Sequence, residues 1–133
     1  MKYRTDLEGV RPELLQDFCA DWPQRPSPSR LFRALQNADF VAVAWSEDER
    51  QLRGFAYVVT DKELFAFLPL IEVRVEDQGK GVGSRLMDML IDQTEGFYAL
   101  DLLCDEPLRR FYGKFGMQPL LGMAIRRPEA LQD

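Results

Sequence analysis

The chain has 133 residues, 46% of them apolar, enough for one domain spanning residues 1–133 with a single well-buried core. Its formal charge of −5 comes with no basic patch, which argues against a nucleic-acid surface, and no apolar run reaches the roughly 20 residues that span a bilayer. Histidine is absent, and Cys19 and Cys104 lack metal-ligand spacing, so acid–base chemistry falls to carboxylates, tyrosine, cysteine or relayed water, with no metal site expected.

In chain order, residues 2–7 alternate briefly and suit a first strand. Pro12 opens a helical pattern over residues 11–22 that places Leu14, Leu15, Phe18 and Cys19 on one face. The proline-rich stretch 23–28 ends it, and Ser27 or Ser29 caps a second helix that stops near Asn37. Residues 40–45 and 53–60 flank a polar turn and predict an antiparallel hairpin. A third apolar run, 64–75, contains Pro69, which requires a strand edge, a bulge or a break. After the helix that begins near Val82, residues 97–104 are apolar on both faces and predict a central covered strand with Cys104 buried. A helix over 108–115, Gly116 as its cap, and two closing strands at 117–121 and 123–127 complete the order. The connections imply a mixed sheet, because helical crossovers join parallel strands and hairpins join antiparallel ones.

The segment Gln78-Gly79-Lys80-Gly81-Val82-Gly83-Ser84 carries the chemistry. Glycines at alternate positions, after a Val73-Arg74-Val75 strand end and before an apolar helical pattern, expose the unpaired N–H groups of a helix start to an anion. The nucleoside-triphosphatase loop does not fit, since Lys80 is followed by Gly81 and not by a hydroxyl residue. The dinucleotide fingerprint does not fit either, since Ser84 stands where its third glycine belongs. What remains is a Gln/Arg-x-x-Gly-x-Gly/Ala loop, followed downstream by Leu108-Arg109-Arg110-Phe111-Tyr112-Gly113-Lys114-Phe115-Gly116.

In these two motifs the chain resembles the GNAT superfamily of N-acetyltransferases, whose loop binds the pyrophosphate of acetyl-coenzyme A. The resemblance implies an α/β (α+β) fold: a mixed, splayed sheet of about seven strands flanked by about four helices. It implies that Gly79, Gly81 and Gly83 admit the pyrophosphate, and that the N–H groups of Lys80, Gly81, Val82, Gly83 and Ser84 bind it, with Gln78 completing the motif. Lys80 or Arg85 is available for a charge contact. The backbones of Val73 and Val75, on a strand splayed from its neighbour, would pair with the pantetheine arm and offer donors to an oxyanion.

Tyr112 matches the family tyrosine that protonates the departing thiolate. The general base stays open between Glu72, at the end of the strand before the loop, and Asp101. Asp105 stands where the family often has an asparagine on the pantetheine, and it is equally suited to capping the next helix. The implied activity is transfer of an acetyl group from acetyl-coenzyme A to a primary amine of a small molecule or peptide, by direct attack in a ternary complex. Two alternatives remain: an acyl-coenzyme A sensor without turnover, and an enzyme for another acyl group. With no charged-then-apolar leader, a cytoplasmic location is expected. So are no nucleic-acid or membrane partner and a possible homodimer through the C-terminal strands.

Overall fold

The computed structural model describes residues 1–132. Five strands form one sheet in chain order: β1 (Lys2–Arg4), β2 (Phe40–Trp45), β3 (Leu52–Thr60), β4 (Phe65–Val73) and β5 (Ala99–Asp101). Neighbours from β1 to β4 are antiparallel, and β4–β5 is parallel. This is the mixed sheet expected when hairpins join β2, β3 and β4 and a helix joins β4 to β5. The α-helices are α1 (Pro28–Gln36), α2 (Val82–Gln93) and α3 (Arg109–Gly113). At the start of α1 the Ser27 Oγ accepts the Arg30 N–H at 3.1 Å, the expected cap, with Pro28 in the tolerated first position.

Strand alternation divides the core between the two faces of the sheet. Val41, Val43, Trp45 and Phe55 pack with Leu15, Phe18, Leu31 and Leu35. Ala42, Ala44, Ala56 and Val58 face Val82, Leu86, Met87 and Leu90 of α2. The second face is built from small residues so that α2 can approach closely. A Cβ on Gly54 would lie 3.4 Å from both Leu86 Cδ1 and Val82 Cγ1 and 3.0 Å from the Glu72 carbonyl oxygen. Leu86 is fully buried there. Leu86→Ala is expected to cost about 2–5 kcal/mol, read as a lower urea midpoint at unchanged slope.

Pro69 sits at a bulge, one of the three settings open to it. Tyr57 pairs with Leu70 and Val59 with Phe67, so Leu68 and Pro69 together face the single residue Val58. Past this point β4 and β5 separate, because on β4 their pairing covers only Phe65, Ala66 and Phe67. From Leu68 to Val73 the side of β4 turned towards β5 is therefore open.

Three expectations are corrected. The helix expected over 11–22 is one 3-10 turn, Pro12–Leu15, followed by left-handed backbone at Asp17 (φ 68°) and Cys19 (φ 60°). The Arg74 guanidinium takes carbonyls that a continuing helix would have given to its own amides: Nη1 donates to the Gln16 oxygen at 2.5 Å and Nη2 to the Leu14 oxygen at 3.0 Å. The central strand expected at 97–104 is a three-residue edge strand, with Leu103 43% exposed and Cys104 exposed. Its second neighbour is missing because residues 117–127 form no strand among the described residues. Among the described residues, five strands and three α-helices thus stand where about seven and about four were expected.

Candidate active site

β4 ends at Val73, a 3-10 turn follows at Val75–Asp77, and α2 starts at Val82. The connection needs left-handed backbone at Gly79 (φ 79°) and Gly81 (φ 86°), and Gly81 is the N-cap without any side-chain cap. A Cβ at either position would meet nothing within 4 Å, so backbone conformation and not crowding demands glycine. Among the described residues, the N–H groups from Gly79 to Ser84 have no acceptor within the chain; the Arg85 N–H, donating to the Gly81 oxygen at 3.1 Å, is the first that does. Unpaired donors of this kind at a helix start are what an anion site requires. The Val82 side chain is buried in the core, so it contributes only its amide.

The cradle is anchored from below. Asp77 is buried and accepts from Arg53 Nε at 2.6 Å, while Arg53 Nη2 donates to Glu76 at 3.0 Å. Lys80 Nζ lies 3.8 Å from Asp77, and the Arg85 guanidinium lies over the Tyr3 ring at 5.6 Å. Neither of these two cations lines the cleft that runs from Gly79 to Tyr112; Lys114 does, with its Nζ 4.8 Å from the Phe111 ring centre.

The open edge of β4 leads away from the cradle. The Arg74 N–H donates to the Arg53 oxygen on β3 at 2.9 Å, so alternation turns the N–H and C=O of Val73 to the open side. Gln78 Nε2 donates to that carbonyl at 3.2 Å. Val75, expected to continue the strand, lies instead in the 3-10 turn, 62% exposed, with its carbonyl accepting the Gln78 N–H at 3.3 Å. The strand cannot extend to Val75 because the chain must turn here to reach the loop.

A cleft of about 650 Å³ runs from Gly79, Gly81 and Gly83 along Val73 to Glu72, Tyr112 and residues 17–21. Glu72 Oε1 accepts the Cys19 N–H at 2.7 Å. Burial pushes the Glu72 carboxyl up, with the nearby Asp21 charge adding and the bonds from Cys19 partly offsetting it. The Cys19 thiol is fully buried and raised to about 12, first by burial and then by the Glu72 charge, so it stays protonated and is no nucleophile. Tyr112 is 7% exposed, edge-to-face with Phe111 at 5.0 Å. Burial, with smaller contributions from Cys104 and Glu72, raises its phenol to about 12.

Of the two carboxylates weighed as bases, the structure brings only Glu72 into the cleft; Asp101 is exposed on β5 opposite Phe67, and Asp105 is exposed and makes no side-chain cap to the turn it precedes. Sequence reasoning missed Arg74. Its guanidinium stacks on Phe18 at 3.8 Å, donates from Nε to the Leu52 oxygen at 3.1 Å, and fastens residues 14–16 against the strand that bears Glu72. The signal was an arginine between two valines in a run whose one other charged residue is Glu72. Lys114 and Cys19 were also overlooked as lining residues.

The sequence matches the acetyltransferase (GNAT) family over residues 7–117. No curated protein matches it. The fold is similar to that of a Deinococcus radiodurans R1 protein assigned as an acetyltransferase, with 34% identity and a TM-score of 0.90 over 96% of this chain and 89% of that one. A Xanthomonas campestris pv. campestris protein assigned to the same family shares the fold at 20% identity and a TM-score of 0.78, over 96% of this chain and 93% of that one. The glucosamine-6-phosphate N-acetyltransferase of Arabidopsis thaliana does so at 14% identity and 0.70, over 96% and 99%. An amide cradle at the end of a splayed strand, the family match and the identity to the Deinococcus protein converge: the chain belongs to the GNAT family of acetyltransferases.

Proposed function

We propose that this protein is an N-acetyltransferase that moves the acetyl group of acetyl-coenzyme A to a primary amine. The observation that carries the reading is one cleft holding both parts of the chemistry: a row of unpaired amides from Gly79 to Ser84, and Glu72 with Tyr112. The residues fit the cosubstrate. Gly79 to Ser84 would hold its pyrophosphate, Lys114 adds positive charge to the same cleft, and the open Val73 edge would hold the pantetheine arm. The thioester supplies an acyl group already activated towards nucleophiles.

Glu72 accepts a proton from the amine as nitrogen bonds to the acyl carbon, and its raised affinity for protons makes it a better base than an exposed carboxylate. The Val73 N–H, turned to the open side, donates to the oxygen that gains charge. Tyr112 gives its proton to the sulfur as the carbon–sulfur bond breaks. Asp17, Asp21 and Glu72 place negative charge along the same cleft, and the Arg74 cation beside them is taken up by three carbonyls and the Phe18 ring. The acceptor that suits this wall is an amine carrying positive charge as it arrives.

The reading is tested by free-thiol release with acetyl-coenzyme A and a panel of polyamines, amino sugars and peptides. Amine-dependent release is expected; tight cosubstrate binding with no release above buffer would instead make the protein a sensor. Within the cradle, Gly81→Ala should weaken acetyl-coenzyme A binding, measured by calorimetry. A left-handed alanine is strained by about 1–2 kcal/mol, and relaxing that strain swings the loop amides off their common point. Unchanged affinity would show that the cosubstrate is held elsewhere.

A further inference from the structure

Arg74 follows Glu72 by two residues, so on extended backbone the two side chains leave the same face of the chain. Both reach the segment 14–19, and each holds a different part of it. Arg74 takes the start: Nη2 donates to the Leu14 oxygen at 3.0 Å and Nη1 to the Gln16 oxygen at 2.5 Å, while the guanidinium carbon lies 3.8 Å from the Phe18 ring centre. Nε, donating to the Leu52 oxygen at 3.1 Å, ties the same group back to β3. Glu72 takes the end, where Oε1 accepts the Cys19 N–H at 2.7 Å.

Packing alone does not account for this arrangement. Arg74 is half-buried, yet among the described residues it forms no ion pair, so its charge compensates no carboxylate in contact with it. Placing a cation there carries a desolvation cost that an apolar side chain would not. The segment it fastens also keeps two non-glycine residues in left-handed backbone, Asp17 (φ 68°) and Cys19 (φ 60°). Such a conformation lasts only where the surroundings hold it. The Arg74 contacts fall on both sides of Asp17, and the bond from Cys19 to Glu72 closes the turn. Only Oε1 of Glu72 is engaged; Oε2 has no partner among the described residues.

We infer that Arg74 is a positioning residue for Glu72: by clamping residues 14–18 it keeps the Cys19 N–H on Oε1 and leaves Oε2 free to take the amine proton. The inference rests on the reading of Glu72 as the base. Arginine is required because its planar fork reaches three carbonyls and stacks on a ring at once; lysine keeps the charge but has neither fork nor stacking plane. Titratable and charged groups lie around Glu72 on every side. Asp17, Cys19 and Asp21 come from the loop, with Arg25 paired to Asp17 at 3.3 Å; Tyr112 comes from α3, with Lys114 just after it; and Arg74 comes from its own run. The bonds from Cys19 favour the ionised carboxylate, whereas burial and Asp21 oppose it. Loosening the clamp therefore raises the proton affinity of Glu72, and the base is ionised only at higher pH.

Arg74→Lys tests the clamp, because the charge stays and the fork goes. It should lower kcat/KM by about 10²-fold, the effect of a small misplacement of a reacting group, and move the acid limb of the pH–rate profile to higher pH. Affinity for acetyl-coenzyme A, measured by calorimetry, should be unchanged, and the Cys19 amide should exchange its proton faster. Phe18→Leu, which removes only the stacked ring, should shift the limb the same way by less, so the test does not depend on one variant folding. The deciding measurement is the double variant Glu72→Gln/Arg74→Lys. It should be no slower than Glu72→Gln, because a clamp that acts through Glu72 then has nothing left to position. Additive losses, or an Arg74→Lys protein with the native acid limb, overturn the positioning role while leaving Glu72 as the base. A Glu72→Gln protein that keeps its rate overturns the reading of the base and this inference with it.

Discussion

Replacing Glu72 by glutamine is expected to lower kcat/KM by about 10²–10⁴ while leaving the protein at least as stable at neutral pH. The two effects have one cause. Glu72 is half-buried, and burial raises its carboxyl above the ordinary range, so the folded protein holds that proton more tightly than the unfolded chain. For a carboxylate shifted in this direction the stabilising contribution is present below the unfolded pKa and is lost as pH rises through the folded one. At neutral pH the charged side chain is therefore a burden on the fold, and glutamine removes it while its amide oxygen can still accept the Cys19 N–H. Activity should have the opposite sign, because the proposed base works only when ionised: the rate should fall as pH drops through a value above that of an exposed glutamate. Thermal melts at several pH values and a pH–rate profile check both halves. A Glu72→Gln protein that keeps its rate, or whose acid limb is unchanged, removes Glu72 from the chemistry.

Much of this site could be read along the chain because its signals are local. Alternate glycines at 79, 81 and 83 between a β-branched run and a helical pattern fix a strand, a left-handed turn and a helix start within a dozen residues. Pro69 marked an irregularity that is a bulge in the structure, and beyond it β4 and β5 no longer pair, which leaves the edge open at Val73. The helix expected over 108–115 carries Tyr112 into the core.

What was misread depends on partners far away in sequence. The pattern at 11–22 does bury Leu15, Phe18 and Cys19, as its spacing required, but by a turn and two left-handed residues. Arg74, some 60 positions on, supplies the hydrogen bonds that make the irregular path stable. No periodicity within the segment could report that. The apolar run at 97–104 failed for a related reason. Whether such a strand is central depends on what lies beyond it, and residues 117–127 leave that side open. The exposure of Cys104 follows directly. Asp101 was open as a base only while its strand was expected to be covered; on an edge it is an exposed side chain outside the cleft.

Tyr112→Phe should reduce kcat by about 10²–10⁴ with little change in the affinity for acetyl-coenzyme A. The ring keeps its edge-to-face contact with Phe111 and its place in the core beside α2, so packing is preserved. Among the described residues the hydroxyl has no hydrogen-bond partner, so its removal strands no other group. A residue of purely structural importance would lower the rate equally for every acyl donor. A proton donor to the leaving sulfur would not: the defect should shrink with thioesters of more acidic thiols, which depart without help. With its phenol raised to about 12, Tyr112 stays protonated across the working range, so under the proposed mechanism no alkaline loss of rate should come from this group below that value. Single-turnover rates for a series of acetyl thioesters, native against Tyr112→Phe, decide the matter. Parallel lines across the series would assign Tyr112 to packing alone, and converging lines would place its proton on the sulfur.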